Sequence, residues 1–326
     1  MRTFLSVLKN NFLRTVPRLS STIVMTVLTL LTILLAVYVT GLQQVKAHVA
    51  VIAQGSSAVL PQSSKQLDIT ILQQKPPHSD LVKQKYDAYI TVNPNGSYSI
   101  ETLRSKEFKD MLLLLLQHPD AKITQSSGER GSGVNIIGFM MMFMLMLSFS
   151  NLFAFADDKE QGQMSRIVAA PSSFWGYLAA HCVYCVIMAF PAFLMIAVLE
   201  WSGWNVGFSL LQYAGLTLVL SVLGISFAFL LNTLIGKPDN ANMLGSAVTV
   251  LTSVLAGGFY SFSKSNAVID PIIKLLPQKE LMNFAQHLQN GDAGQHIFSI
   301  LYVIGFSLLL FALSCCILRR MYIKKT

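Results

Sequence analysis

Residues 157–175, DDKEQGQMSRIVAAPSSFW, decide how the rest of the chain is read. This polar stretch lies between two apolar runs, 134–156 and 174–199. Each run is long enough to cross a hydrocarbon core of about 30 Å, which takes roughly 20 helical residues. The stretch is therefore a connection at a membrane face, and its own pattern is helical. Asp157 and Asp158 are residues of the type that caps a helix N-terminus, and Gln161 follows Asp158 by three positions, as in a capping box. Met164, Ile167 and Val168 fall on one face at helical spacing, with Glu160, Gln163 and Arg166 turned elsewhere. Pro171 ends the helix. This pattern predicts a short helix with a small apolar knob and mixed charge, shaped to dock in a cleft of a soluble partner. The competing reading is an ordinary polar loop.

Outward from this stretch, the 326 residues are 53% hydrophobic and 12% charged, against about 25% charged in ordinary soluble domains. The apolar residues come in six blocks, 21–42, 134–156, 174–199, 208–231, 241–262 and 297–318, none containing Lys, Arg, Asp or Glu. The expected fold is an all-α polytopic membrane protein with six transmembrane helices. A small α/β extracytoplasmic domain, 43–133, is expected between spans one and two. The first block is too long for a cleavable signal peptide and lacks a clean small-residue cleavage site.

An even number of spans puts both termini on one side, and basic residues choose the side. With the ends inside, the cytoplasmic segments hold 11 basic and 4 acidic residues and the outer segments 13 and 12. The expected location is a bacterial cell membrane, with both termini cytoplasmic. The net charge of +8 then reflects topology and gives no case for nucleic-acid binding. All four cysteines lie within the apolar blocks, so no disulfide framework is expected outside. Cys182-x-x-Cys185 beside His181 reads as helix packing, and no metal site is assigned.

Residues 1–20 form a basic amphipathic segment, with Phe4, Leu5, Leu8, Phe12 and Val16 on one face and Arg2, Lys9, Arg14 and Arg18 interrupting it. It is suited to the inner interface near anionic lipid, or to a plain positive-inside anchor. In the domain, residues 48–53 and 67–72 have strand composition, and 86–92 and 97–103 form a hairpin about Asn95-Gly96. Residues 79–85 and 105–117 read as helical, with 112–116 buried. Residues 126–133 form a flexible linker.

The second span carries Met140, Met141, Met142, Met144 and Met146, which could line a path for apolar cargo but more often face lipid or pack. Pro191 marks a kink in the third span, and Trp201 and Trp204 mark its outer end. Residues 236–240 form a short inner loop. The outer segment 263–296 carries an amphipathic helix, with Leu281, Phe284, Ala285 and Leu288 on one face, Pro277 before it and Gly291 after it. The tail is 319–326.

Glu160-x-Gly162-x-x-x-Arg166, followed by Ala170-Pro171-Ser172 and a new span, resembles the coupling helix of type-2 ABC export permeases. The N-terminal segment, with Phe4, Leu8, Phe12 and Arg14, is similar to the interfacial connecting helix of that family. The strand Tyr86-Asp87-Ala88-Tyr89-Ile90-Thr91-Val92 and the exit at Gly257-Gly258-Phe259 resemble the branch with an exported domain. One departure is that the first strand runs into Ala53-Gln54-Gly55-Ser56 without acidic residues, so no role of such acids carries over. The resemblance implies that residues 157–173 transmit motion from a separate ATPase, through Glu160, Gly162, Met164, Arg166, Ile167, Val168 and Pro171.

The chain contains no GxxxxGK[ST] loop, no HExxH and no GxSxG. No enzyme activity or cofactor is therefore assigned to it, and the resemblance puts ATP and Mg on the partner. The implied partners are two cytoplasmic ABC ATPase subunits, a second permease copy or paralogue, and membrane lipid. The implied cargo is amphipathic or apolar, such as a peptide, lipid-like molecule or drug. A membrane sensor or assembly protein, whose exported domain binds a ligand and signals through the inner loop, is the alternative.

Overall fold

The apolar blocks fold as helices that are either sequestered from solvent or left with one bare apolar face. The computed structural model describes residues 2–43, 47–53, 67–72, 74, 76–77, 79–82, 85–92, 98–103, 108–110, 112–113, 130–169, 174–259 and 269–323. They divide into two compact units, residues 1–38 with 130–326, and residues 39–129.

The larger unit opens with α1 (Arg2–Thr15), which a short 3-10 turn at Val16–Arg18 joins to α2 (Leu19–Gln43). Pro17 lies in that turn, where a missing backbone N–H costs little. Then come α4 (Ser132–Asn151), α5 (Phe153–Glu160), α6 (Gln163–Ala169), α7 (Phe174–Trp201) and α8 (Leu210–Leu234). The remaining helices are α9 (Pro238–Leu255), α10 (Ile269–Lys274), α11 (Pro277–Asn290) and α12 (Ile297–Leu318). Between α2 and α4 the chain passes through the smaller unit, which contains α3 (Ser79–Val82). Pro191 lies within α7, which remains helical on both sides of it.

Among the described residues, five helical runs are long and apolar enough to cross a membrane: Phe4–Thr40, Ser132–Glu160, Phe174–Trp201, Leu210–Leu234 and Ala293–Tyr322. The fifth of the six apolar blocks is not among them. Helix α9 has only 18 residues and opens on Pro238-Asp239-Asn240, so it spans about 27 Å at 1.5 Å per residue and is polar at one end. Residues 260–262, which the sequence adds to this block, lie outside the described residues.

Helix α4 is the most enclosed element, packed by α7, α8, α9 and α11. Met140, Met141 and Met144 are fully buried within it and Met142 and Met146 partly so, which makes the run packing material. Close approach is set by glycine. A Cβ on Gly138 would lie 2.1 Å from the carbonyl oxygen of Gly258, so the backbones meet where no side chain fits. By contrast, α2 and α12 keep broad exposed apolar faces, including Leu31, Leu35, Leu301 and Leu308. Those faces need lipid or another protein.

In the smaller unit, β1 (Ala47–Ala53), β2 (Leu67–Leu72), β3 (Ala88–Val92) and β4 (Tyr98–Thr102) form one sheet of order β2-β1-β3-β4. Strand β1 runs parallel to both neighbours, while β3 and β4 pair antiparallel with Val92 opposite Tyr98. Val49, Val51, Ala88, Ile90 and Ile100 bury one face with Leu112, and Ala50, Ile52 and Tyr89 bury the other with Leu81 of α3 (Ser79–Val82). Covering both faces accounts for the continuous apolar run of β1. The Asn95-Gly96 turn, residues 105–107, 111 and 114–117 of the second helical stretch and residues 126–129 of the linker lie outside the described residues, while Ser132 and Gly133 of that linker already belong to α4.

Candidate functional site

The connection that follows α4 starts as a prolongation of it. Leu152 N donates to Ser148 O at 3.0 Å and Ala156 N to Leu152 O at 3.1 Å, so helical bonding continues into α5. Asp157 and Asp158 are therefore in the second turn of a helix, where their backbone N–H groups are already used, and they do not cap one. Gln161 is the C-terminal cap of α5, in place of the N3 residue of a capping box. The turn is made by Gly162 at φ +68°, with open space around it. L-residues are disfavoured there, which gives this glycine a conformational reason.

The two aspartates instead gather cations from α1 and the 3-10 turn that follows it. Arg14 Nη1 donates to Asp158 Oδ1 at 2.6 Å, and Arg14 Nη2 lies 3.6 Å from Asp157 Oδ2. Arg18 Nη2 reaches the same Asp157 oxygen at 3.3 Å, and its guanidinium lies over the Phe153 ring. Tyr177 of α7 completes Asp158, donating to Oδ2 at 2.7 Å. The Asp158 side chain is only 7% exposed, and these partners satisfy both of its oxygens.

Lys159 points the other way. Its Nζ donates to the carbonyls of Asn232, Thr233 and Ile235, at 2.7, 2.5 and 2.9 Å. These carbonyls lie at the C-terminal end of α8, which carries partial negative charge and lacks helical partners. Two turns of helix thus bind α1, α7 and α8 through charged groups.

Helix α6 begins only at Gln163, so the single helix expected from Asp157 onward is divided at the Gly162 turn, with Glu160 left on α5. Met164 is fully buried, and it packs with Ile167 in a cluster containing Phe155, Tyr177, Phe229 and Leu318. The apolar knob thus anchors α6 to its own chain. Glu160, Gly162, Gln163, Ser165 and Arg166 are exposed, and Val168 is half-buried. Pro171 lies outside the described residues. Beside the Arg14 contact, an open cavity of about 740 Å³ lies between α1 and this segment, lined by Asn10, Arg14, Asp157, Gln163 and Ile167 among others.

Of the four residues singled out in α1, Phe4 and Leu8 are half-buried, Leu8 and Val7 packing toward the Phe155 cluster, and Phe12 is exposed at its edge. Phe12 meets the Tyr184 ring edge-on at 5.2 Å between centroids. Arg14 turns inward to the acids. The one fully buried position among the described residues of α1 is polar: Asn11 Nδ2 lies 3.1 Å from His181 Nδ1 on α7. Thr15 Oγ1 and Tyr184 OH share a 2.5 Å hydrogen bond one turn on. The amphipathic pattern hid this contact, because it sorts apolar from polar residues and α1 docks partly by polar ones. The spacing of Arg14 and Arg18, four apart and matched to a pair of acids at the end of a span, was the available signal.

The chain matches the family described as ABC-2 family transporter protein over residues 19–315. No curated protein matches it. The chain belongs to the ABC-2 transporter family, and is thus a multi-pass membrane subunit of an ABC transporter that works with ABC ATPase subunits.

Proposed function

We propose that this ABC-2 family member is the permease of an ATP-driven exporter, with the α5–α6 segment as the inner docking point of its ATPase. The observation that carries the reading is the divided surface of the α5–α6 segment. Met164 of α6 is buried, while Glu160 at the end of α5, Gly162 in the turn and Arg166 of α6 are exposed, so the segment is fixed on one side and presents charge on the other. Charged groups of this kind set the register of a docked partner, and truncating one member of a buried interfacial pair costs about 2–5 kcal/mol.

In this proposal two ATPase subunits bind a dimer of permeases, and ATP and Mg are held by the ATPases. Helix α9, followed by α10 and α11, supplies the sixth crossing in shortened form, which returns both termini to the cytoplasm. The unit 39–129 lies outside. The cargo is amphipathic or apolar, since the long helical runs carry extensive apolar surface and few charges.

The test is co-expression with the ATPase at matched membrane levels of each permease variant. Glu160→Ala and Arg166→Ala should insert normally, lose co-purified ATPase several-fold and fail to stimulate hydrolysis with cargo. Gln289→Ala, on α11, should behave as wild type in ATPase recovery. Equal recovery from all three would remove the support for α6 as the docking point.

A further inference from the structure

We propose a divalent-cation site of the zinc class, formed by His287, Asp292 and His296 where α11 turns into α12. The chain supplies three donors within ten residues, as His-x4-Asp-x3-His. Gly291, at φ +85°, ends α11 in the left-handed conformation. Gly291 N and Asp292 N then donate to the Leu288 and His287 carbonyls, at 3.3 and 3.1 Å. This reversal brings Asp292 back over the last turn of α11, and the 3-10 turn Ala293–His296 brings His296 to the same place.

The donor atoms of the three side chains lie within 4.8 Å of one another. His287 Nδ1 is 3.1 Å from Asp292 Oδ2, and the two imidazoles are stacked, with centroids 3.3 Å apart and planes 8° from parallel. Donors on a tetrahedral zinc, at about 2.0–2.1 Å from the metal, stand roughly 3.3 Å apart. On such a metal the two rings point apart, with centroids roughly 5 Å from each other, so binding would unstack the half-buried imidazoles by side-chain rotation.

The chemistry of the cluster favours a cation. Imidazole nitrogen is the commonest protein ligand of such metals. Asp292 Oδ1 is buried and has no hydrogen-bond partner. A carboxylate oxygen in that condition is costly, and a bound cation would satisfy it. Two nitrogens and one carboxylate oxygen suit zinc and its first-row neighbours better than magnesium or calcium. Three protein donors leave a coordination position open to water, so the metal would be exchangeable.

The site would act as a staple. Next to His287, Gln289 Oε1 accepts from Gly131 N at 2.9 Å, just before α4. On the other side of α11, Glu280 Oε2 accepts from Ser299 of α12 at 2.6 Å. A metal tying the end of α11 to the start of α12 would stiffen this junction without touching the α5–α6 segment.

The experiment uses the full-length chain, purified without a polyhistidine tag, stripped with chelator and dialysed against micromolar zinc. Wild type should retain one zinc per chain and show a zinc-dependent rise in melting temperature. His287→Gln and His296→Gln should each weaken binding by tenfold or more and lose that rise, with Asp292→Asn intermediate. Cobalt in place of zinc should give visible absorption of a four-coordinate nitrogen and oxygen site, absent from the double His variant. His48→Gln, in the smaller unit, should change nothing. Equal zinc retention by wild type and the monodisperse double variant, or no retained zinc in wild type, would overturn the proposal.

Discussion

The Arg14–Asp158 pair is the residue-scale contact with most at stake. Removing one partner of a fully buried ion pair costs about 3–5 kcal/mol, chiefly because the other charge is stranded. Arg14 is 27% exposed, so we expect Arg14→Ala to cost less, about 2 kcal/mol, with solvent screening the rest. Asp158→Asn keeps an acceptor for Tyr177 and should cost less again. In a double-mutant cycle on thermal unfolding in detergent, the two losses should overlap strongly. Additive losses would mean that Arg14 acts through packing alone. Gly162 makes a separate case: at φ +68° an Asn is tolerated where a β-branched residue is strained. Gly162→Asn should retain ATPase coupling and Gly162→Val should lose it. Loss in both, at equal expression, would instead point to close approach by a partner.

At the scale of elements, the end of α8 depends on Lys159. Charge-assisted hydrogen bonds contribute about 1.5–3 kcal/mol each in favourable settings, and three carbonyls share this ammonium. Lys159→Met should therefore loosen the last turn of α8, read as at least tenfold faster amide exchange near Thr233 and Ile235. Unchanged exchange there would show that the cap is replaced by water. Elements were also where the sequence was most informative. The apolar blocks located α7, α8 and α12, strand composition located β1 and β2, and the hairpin pattern located β3 and β4, because burial and pairing write a run or a turn into the residues. Asp157 and Asp158 misled for an equally physical reason. An aspartate suits a helix start, but it also suits the company of Arg14 and Arg18, and local sequence does not reveal which is nearby. The His287–Asp292–His296 cluster escaped notice because its spacing has meaning only once Gly291 reverses the chain.

For the whole molecule, the charge split bears on which side faces the cytoplasm. Counted with the termini inside, 11 basic residues face 4 acidic ones there, against 13 and 12 outside, a bias of the kind that orients spans. Single cysteines at Ser56, Asn95 and Ser165, in a cysteine-free background, provide the check with an impermeant thiol reagent in intact cells. The first two should react and Ser165→Cys should be protected; the reverse pattern would invert the topology and put α6 out of reach of any ATPase.

The continuity of α4 with α5 has a mechanical consequence. Ser132–Glu160 is one rod, about 43 Å long at 1.5 Å per residue. Near one end Asp157, Asp158 and Lys159 tie it to α1, α7 and α8, and along the rest of its length α4 is packed by α7, α8, α9 and α11. A rod sheathed in this way shifts along its axis or turns within its sheath instead of swinging about one point. Spin-label distances across a nucleotide cycle should show similar travel near Ser132 and Ser165, and travel several times larger near Ser132 would mean that the rod pivots. A displacement delivered at its inner end would be felt at once at the Gly138–Gly258 contact, where the two backbones leave no slack.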